Sequence, residues 1–136
     1  MMRVTYVEFW RPIVGYEGLY EVSNAGRVRR VGNGHGVRLG RILRAAVGSH
    51  GYLTVALYRG DSRPRSVMVH GVVAAAWLGP RPEHHEVNHR NGQKTDNDLR
   101  NLEYVTASGN RRHAYMTGLR RWHPQARAKG KWVKMS

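Results

Sequence analysis

Cysteine is absent from this chain of 136 residues, which excludes disulfide bonds, thiolate zinc sites and cysteine nucleophiles together. Acidic residues are scarce as well, since nine Asp and Glu stand against 23 Lys and Arg and give a formal net charge of +14. A chain this basic is attracted to polyanions, and nucleic acid is the first candidate partner. The length suits one compact domain or two very small ones.

Long apolar runs are also missing. The amino terminus has no apolar segment of the kind that directs secretion. The longest apolar stretch, Val67–Leu78, is interrupted by His70 and Gly71 and is too short to cross a bilayer. We therefore expect a soluble cytoplasmic protein that has no membrane partner.

The charges that are present are unevenly placed. Residues 22–60 contain seven Arg and no acid, and residues 111–136 contain eight Lys or Arg and no acid. Five of the nine acids lie between residues 83 and 103. A polar, partly acidic segment between two basic flanks suits a cation site beside a phosphate track, and on composition alone a solvated loop explains it equally well.

Hydrophobic patterns divide the chain into three parts. They predict a β-rich region over residues 1–66, with two strands around a turn at residues 23–26 and an alternating strand within Gly51–Tyr58. Val67–Leu78 is predicted to be a buried helix that ends at Gly79-Pro80 and opens a second domain over residues 67–118. His70 in this helix is expected to be a packed or capping histidine. Residues 119–136 form a basic tail.

The segment Glu86–Ala114 has the clearest local organisation. Val87–His89 and Leu102–Val105 are predicted strands, joined by a polar loop over residues 90–100 with a strong turn signal at its start. Thr106 is a good N-cap for a helix from Ala107 to about Met116. The predicted order is strand, loop, strand, helix.

This segment resembles the HNH nuclease family, in the cysteine-free branch found in phage homing endonucleases. The preceding sequence EFWRPIVGYEGLYEVSNAGRVRRV resembles the modular, NUMOD-like segment that often precedes this nuclease unit. Together the two resemblances cover most of the chain up to about Ala114. The residues that carry the nuclease resemblance are Asn88-His89, Asn101-Leu102 and Asn110 with Arg111, Arg112 and His113.

The resemblance implies an α+β protein with a small N-terminal β-rich region followed by a ββα-metal (His-Me finger) nuclease unit. It implies that His89 is the general base and that Asn101 orients its imidazole. Asn88 and Asn110 would hold one divalent metal ion, with His113 as a further candidate ligand. Mg²⁺ is the expected ion and Mn²⁺ the alternative, because oxygen ligands suit hard cations.

Several alternatives stay open at the level of residues. Many relatives carry Asp in place of Asn88, and an amide is a weaker metal ligand than a carboxylate. Asn101 can also serve simply as a loop cap, and His113 can contact phosphate or be structural. Asp96 and Asp98 are expected to cap the loop, with metal ligation as the alternative.

The implied function is metal-dependent endonuclease cleavage of double-stranded DNA, by nicking or double-strand cleavage, in a prokaryotic or phage-infected cell. The protein would act as a monomer or homodimer. A non-catalytic DNA-binding protein on a decayed HNH scaffold is the runner-up, and an RNA-binding protein of ribosomal type explains the charge alone. The residues expected to contact DNA are Arg27, Arg29, Arg30, Arg90, Arg111, Arg112, Arg120 and Arg121.

Overall fold

The computed structural model describes residues 6–34, 37–60 and 63–116, with side chains up to Arg111, and the backbone of two short strands in the tail. No helix within this described part is long and apolar enough to cross a membrane. The elements in chain order are β1 (Trp10–Pro12), β2 (Tyr20–Ser23), β3 (Val28–Arg30), β4 (Ala46–Val47), β5 (Leu53–Leu57), β6 (Arg65–Met68), α1 (Val69–Trp77), β7 (His85–His89), β8 (Leu102–Thr106), α2 (Ala107–Met116), β9 (Arg127–Ala128) and β10 (Lys131–Trp132).

The first sheet is an antiparallel meander of β1, β2 and β3. The turn between β2 and β3 closes where the Ser23 amide donates to the Arg27 carbonyl at 2.8 Å. Gly26 adopts a φ of +87° in this turn, a conformation that favours glycine. The predicted pair of strands around residues 23–26 is therefore confirmed.

The second sheet contains β4, β5 and β6 in that order, and β5 confirms the alternating strand predicted within Gly51–Tyr58. The predicted start of the following helix is wrong, because Val67 pairs with Val55 in β6 and the helix begins at Val69. Short apolar runs carry no period that separates strand from helix, and here a strand partner decides. The predicted domain boundary between residues 66 and 67 thus falls inside β6.

The nuclease-like segment has the predicted order of elements. Strands β7 and β8 pair antiparallel, and α2 spans the predicted Ala107–Met116. Thr106 caps this helix, since its hydroxyl accepts from the Gly109 amide at 3.2 Å. A turn of 3₁₀ helix at Leu99–Asn101, which the sequence patterns did not predict, ends the loop between the strands.

One hydrophobic core joins the N-terminal sheets to the nuclease-like segment. Helix α1 lies within it and buries Val69 and Val73. Leu102 of β8 belongs to the same cluster, so the β7–β8 ribbon packs directly against residues from the first half of the chain. The other buried members are Ile13, Tyr16, Tyr20, Val22, Val28, Val55 and Leu57.

In the basic tail, β9 and β10 pair antiparallel. The expectation that Arg120 and Arg121 of this tail contact DNA concerns residues that lie outside the described part of the chain.

Candidate active site

The β7–β8 ribbon presents two chemically different faces. Side chains alternate across a strand, so neighbouring residues in β7 point to opposite sides. His89 pairs with Leu102 of the hydrophobic core and therefore faces α1; we call this side the imidazole face. Asn88 pairs with Glu103 on the other side, which we call the amide face and which also carries Glu86 of β7 and Asn110 of α2.

His89 is held in one orientation on the imidazole face. It is only 6% exposed, and its Nε2 lies 2.8 Å from the Oδ1 of Asn97, which is 4% exposed. With the Asn97 Oδ1 as the acceptor, Nε2 is the nitrogen that carries the proton in the neutral form of the ring, and Nδ1 of that form has the lone pair. This is the tautomer that a general base acting through Nδ1 requires.

The contact with the imidazole comes from Asn97, a residue that the sequence analysis missed. Asn101, expected to orient the imidazole, instead binds the loop backbone: its Oδ1 accepts from the Asn91 amide at 3.0 Å, and its Nδ2 donates to the Asp96 carbonyl at 2.8 Å. Among the described contacts, Asn101 therefore acts on His89 only indirectly, by holding the backbone of the loop that carries Asn97. In the sequence, Asn97 is simply an Asn in a polar loop. This feature is too common to identify it as the partner of His89.

The two aspartates of this loop act as caps, as first expected. Asp96 accepts from the Asn91 side-chain amide at 2.8 Å, and Asp98 accepts from the Arg100 amide at 2.9 Å. The Arg100 guanidinium also binds Asp98, and this hydrogen bond lowers the pKa of the Asp98 carboxyl below its usual value. Both carboxylates are therefore engaged in holding the loop.

Residues from far away in the sequence complete the wall around His89. The Tyr52 ring stacks on the imidazole at 5.8 Å between centroids, and the His70 ring meets it edge-on at 5.1 Å. Burial lowers the pKa of His70 to about 4, helped by the nearby imidazoles of His89 and His50, so His70 is neutral at physiological pH. The packed role predicted for His70 is confirmed.

The turn between β2 and β3 supports the loop that carries Asn97. The Asn24 carbonyl accepts from the Leu99 amide at 2.8 Å. A Cβ built on Gly26 would lie 2.7 Å from the Asn97 carbonyl oxygen, so only glycine allows this approach. The N-terminal sheet is therefore part of the support of the site.

The amide face joins each predicted metal-ligating Asn to a carboxylate. Asn88, 5% exposed, donates from Nδ2 to the Glu103 Oε1 at 2.9 Å, and Asn110 donates from Nδ2 to the Glu86 Oε1. Both amide oxygens are left as acceptors, which fits a hard cation. No cluster of three or more His, Cys, Asp or Glu suited to a metal occurs among the described residues, so amide oxygens would have to contribute to a cation site here.

Several arginines predicted to contact DNA have partners within the protein. Arg27 pairs with Glu8 and Arg29 with Glu21, while Arg30 donates to the Gly32 carbonyl at 2.8 Å. Arg90 lies 3.4 Å from Glu103, and Arg111 lies 3.4 Å from the Ser108 hydroxyl. The side chains of Arg112, His113, Arg120 and Arg121 lie outside the described part.

A second group of arginines surrounds a pocket of about 520 Å³ beside the first sheet. Arg38, Arg41 and Arg44 are exposed and line this pocket together with Tyr20 and Tyr58. The sequence analysis did not select these three residues, although they lie in the basic stretch that it identified.

Comparison with known proteins agrees with this geometry. Residues 8–58 match the family profile described as the NUMOD4 motif, and residues 67–112 match the profile described as HNH endonuclease. The chain therefore carries an N-terminal NUMOD4 motif followed by a segment of the HNH endonuclease family.

Its relatives include a phage enzyme of known structure. The DNA endonuclease I-HmuI of Bacillus phage SP01 is 33% identical over 97 residues, which cover 71% of this chain and 52% of that protein. An uncharacterised HNH endonuclease of Acanthamoeba polyphaga mimivirus is 38% identical over 111 residues, covering 79% of this chain and 26% of the other. The chain thus spans about half, or less, of these relatives.

The fold is also that of a solved nuclease. The structure described as DNA binding and cleavage by the HNH homing endonuclease I-HmuI superposes with a TM-score of 0.71 at 30% identity. The match covers 84% of this chain and 62% of the solved one. The predicted α+β architecture, a small β-rich region followed by an HNH unit, is therefore confirmed.

Proposed function

We propose that this chain is a metal-dependent endonuclease that hydrolyses phosphodiester bonds of double-stranded DNA. The observation that carries the proposal is the environment of His89, whose Nε2 is bound by Asn97 and whose Nδ1 is left as the basic nitrogen. Membership of the HNH family supplies the reaction class, and the relative I-HmuI is described as a DNA endonuclease.

In this mechanism His89 takes a proton from water through Nδ1 while the water oxygen attacks phosphorus. The bond from phosphorus to the leaving 3′ oxygen breaks and that oxygen takes a proton from solvent, which leaves a 5′ phosphate and a 3′ hydroxyl. Asn97 keeps the imidazole in the required tautomer, and the neutral rings of Tyr52 and His70 hold its plane. General-base catalysis of this kind contributes about 10²–10⁴ in rate.

Asn88 and Asn110 are the residues that would hold the cation, with His113 as a further candidate. When bound, a divalent cation neutralises phosphate charge and stabilises the leaving oxygen. We propose Mg²⁺, with Mn²⁺ as the alternative, because amide oxygens are hard ligands. Asn88 and His89 are adjacent in β7 with their side chains on opposite faces of the ribbon, so the proposal requires the phosphate to lie at the end of this strand, where both faces end.

The proposed DNA contacts come from arginines on the N-terminal sheets and beyond Asn110. A single ββα unit has one base, so a monomer would nick one strand, and a homodimer would be needed to cut both. The exposed Arg38, Arg41 and Arg44 add to the arginines predicted from the sequence. Phosphate contacts of this kind give binding that weakens steeply with salt.

The test is incubation of supercoiled plasmid with the full chain, with and without Mg²⁺. We expect nicked circles that appear only with the cation, and linear plasmid if the protein cuts as a dimer. Binding without any nicked product, in Mg²⁺ or in Mn²⁺, would contradict the proposal and favour a non-catalytic DNA-binding protein on the same scaffold.

A further inference from the structure

Two carboxylates on the amide face have no part in the proposed mechanism. Glu103 lies directly opposite Asn88 across the ribbon and accepts from its Nδ2 at 2.9 Å. Glu86 lies two residues before Asn88 on the same face and accepts from the Nδ2 of Asn110. Each amide of the proposed metal site is therefore bound by its own carboxylate, one from each strand.

A carboxylate selects which end of an amide it binds. An ionised carboxylate only accepts, whereas an amide side chain has a donor end and an acceptor end of almost equal size. Facing a carboxylate, the amide therefore turns its NH₂ group inward and its oxygen outward. A cation needs the oxygen, because the NH₂ group repels positive charge.

The Glu103 carboxylate is itself fixed from two sides. Its Oε1 receives the Asn88 amide, and its Oε2 lies 3.4 Å from the Arg90 guanidinium. Its side chain is 31% exposed, so the carboxylate is partly shielded from water. These contacts leave the acceptor end of Asn88 as the end that faces a ligand.

We propose that Glu103 and Glu86 are positioning residues that orient the amides of Asn88 and Asn110 so that their oxygens face a divalent cation. The inference rests on the proposed function, since it assumes a cation on the amide face. It adds a role for two glutamates that bind neither substrate nor metal, and it makes Asn88 and Glu103 a matched pair.

The pairing of Asn88 with Glu103 can be tested, because replacement of Glu103 should change cation affinity in opposite directions when residue 88 is Asn and when it is Asp. A carboxylate at position 88 has two equivalent oxygens and needs no orientation, but it would face the Glu103 carboxylate at hydrogen-bonding distance and be repelled. Glu103→Gln should therefore weaken cation binding when residue 88 is Asn and strengthen it in an Asn88→Asp background. A glutamate that acted only through its charge, or as a direct ligand, would weaken binding in both backgrounds.

The experiment measures Mn²⁺ binding to the full chain from the electron paramagnetic resonance signal of the free ion, so that no cleavage is involved. The variants are Glu103→Gln, Asn88→Asp and their combination, together with Glu86→Gln. We expect Glu103→Gln and Glu86→Gln each to weaken binding about tenfold, because a Gln amide has a donor end as well as an acceptor end and no longer selects the orientation of the facing Asn. The combined variant should bind more tightly than Asn88→Asp alone.

Glu83→Gln is the matched control, because Glu83 loses the same charge near β7 while its side chain is 88% exposed and touches neither amide. Weakening by Glu103→Gln in both backgrounds, or an equal effect of Glu83→Gln, would overturn the inference and leave the nuclease proposal intact. Failure of the unaltered chain to bind Mn²⁺ would overturn both, beginning with the metal dependence.

Discussion

The imidazole face and the amide face of the ribbon are built from different parts of the chain. On the amide face, Asn88, Glu103 and Asn110 all come from the ββα unit itself. On the imidazole face, His89 is surrounded by Tyr52 and His70, and its partner Asn97 is supported by the turn between β2 and β3. The contacts of Asn88 thus come from the ββα unit, whereas those of the adjacent His89 also come from distant parts of the chain.

The difference assigns separate tasks to the two halves of the molecule. The proposed cation site lies within the nuclease unit, whereas the proposed general base is oriented by a loop that the N-terminal sheets support. The NUMOD4 region therefore supports the candidate site and also carries arginines that we propose contact DNA. Substitutions in the two halves should consequently differ in their effects on metal binding, cleavage and stability.

The largest effect is expected for His89→Ala, which removes the base and leaves the amide face intact. Single-turnover cleavage should fall about 10²–10⁴-fold, whereas DNA binding should change little. His84→Ala is the control, because the side chain of His84 is 87% exposed. Near-normal cleavage by His89→Ala would show that another group is the base.

Gly26→Ala tests the link between the N-terminal turn and the base. Its Cβ would lie 2.7 Å from the Asn97 carbonyl oxygen, so the loop that holds His89 must shift. A displacement of about 1 Å at a catalytic group can cost about 10²-fold, and we expect a loss of this order in single-turnover cleavage with Mn²⁺ affinity unchanged.

Gly18→Ala is the control for Gly26→Ala. Gly18 has a similar φ of +78°, but a Cβ built on it would have nothing within 4 Å. Gly18→Ala therefore introduces the same backbone strain without a steric clash. Both variants should lose about 1–2 kcal/mol of stability from the left-handed conformation. Equal cleavage rates in the two variants would mean that the turn does not position the base.

The buried His70 predicts a pH dependence of stability. Its pKa is lowered to about 4 in the folded chain from 6.5, so between these values the unfolded chain binds the extra proton. Stability should therefore rise with pH across this window and be lost as the pH falls. This difference in the pKa of His70 corresponds to about 3 kcal/mol of unfolding free energy for a fully buried ring. We expect a loss of about 2 kcal/mol, because the ring is only partly buried.

Chemical denaturation at pH 7 and pH 4.5 measures this effect in the unaltered chain and in His70→Leu. The variant should lose less stability on acidification, because it lacks the group whose protonation is suppressed. His89 and His50 face His70 and are present in both proteins, so the difference between the two reports His70. Parallel losses in both proteins would assign the pH dependence elsewhere.

The two faces also differ in how far the sequence predicts them. Local periodicity and capping predicted β7, β8 and α2, and the family motif on these elements led to His89, Asn88 and Asn110. The surroundings of His89 depend on residues up to 65 positions away in the chain, such as Asn24 and Tyr52, and no local pattern joins them to His89. The loop role of Asn101 was open for the same reason, because its contacts are set by the fold of residues 90–100.

The smallest effects are expected from single arginine substitutions, measured as changes in the salt dependence of DNA binding. The ion pairs of the structure change which arginines we expect to contribute most. The paired Arg27 must exchange Glu8 for a phosphate, whereas Arg41 is exposed beside the arginine-lined pocket. Each phosphate neutralised on duplex DNA contributes about −0.9 to the slope of log affinity against log salt concentration. Arg41→Gln should therefore flatten the slope by nearly this amount, and Arg27→Gln by less.

Removal of the residues after Gly118 should flatten the slope by several such steps, since the tail carries Arg120, Arg121 and four further basic residues. Fluorescence anisotropy with a duplex oligonucleotide between about 50 and 200 mM salt measures all three changes. None of them should alter Mn²⁺ binding, because neither face of the ribbon is touched. A larger effect for Arg27→Gln than for Arg41→Gln would mean that DNA displaces Glu8, and an unchanged slope after truncation would show that the tail does not contact DNA.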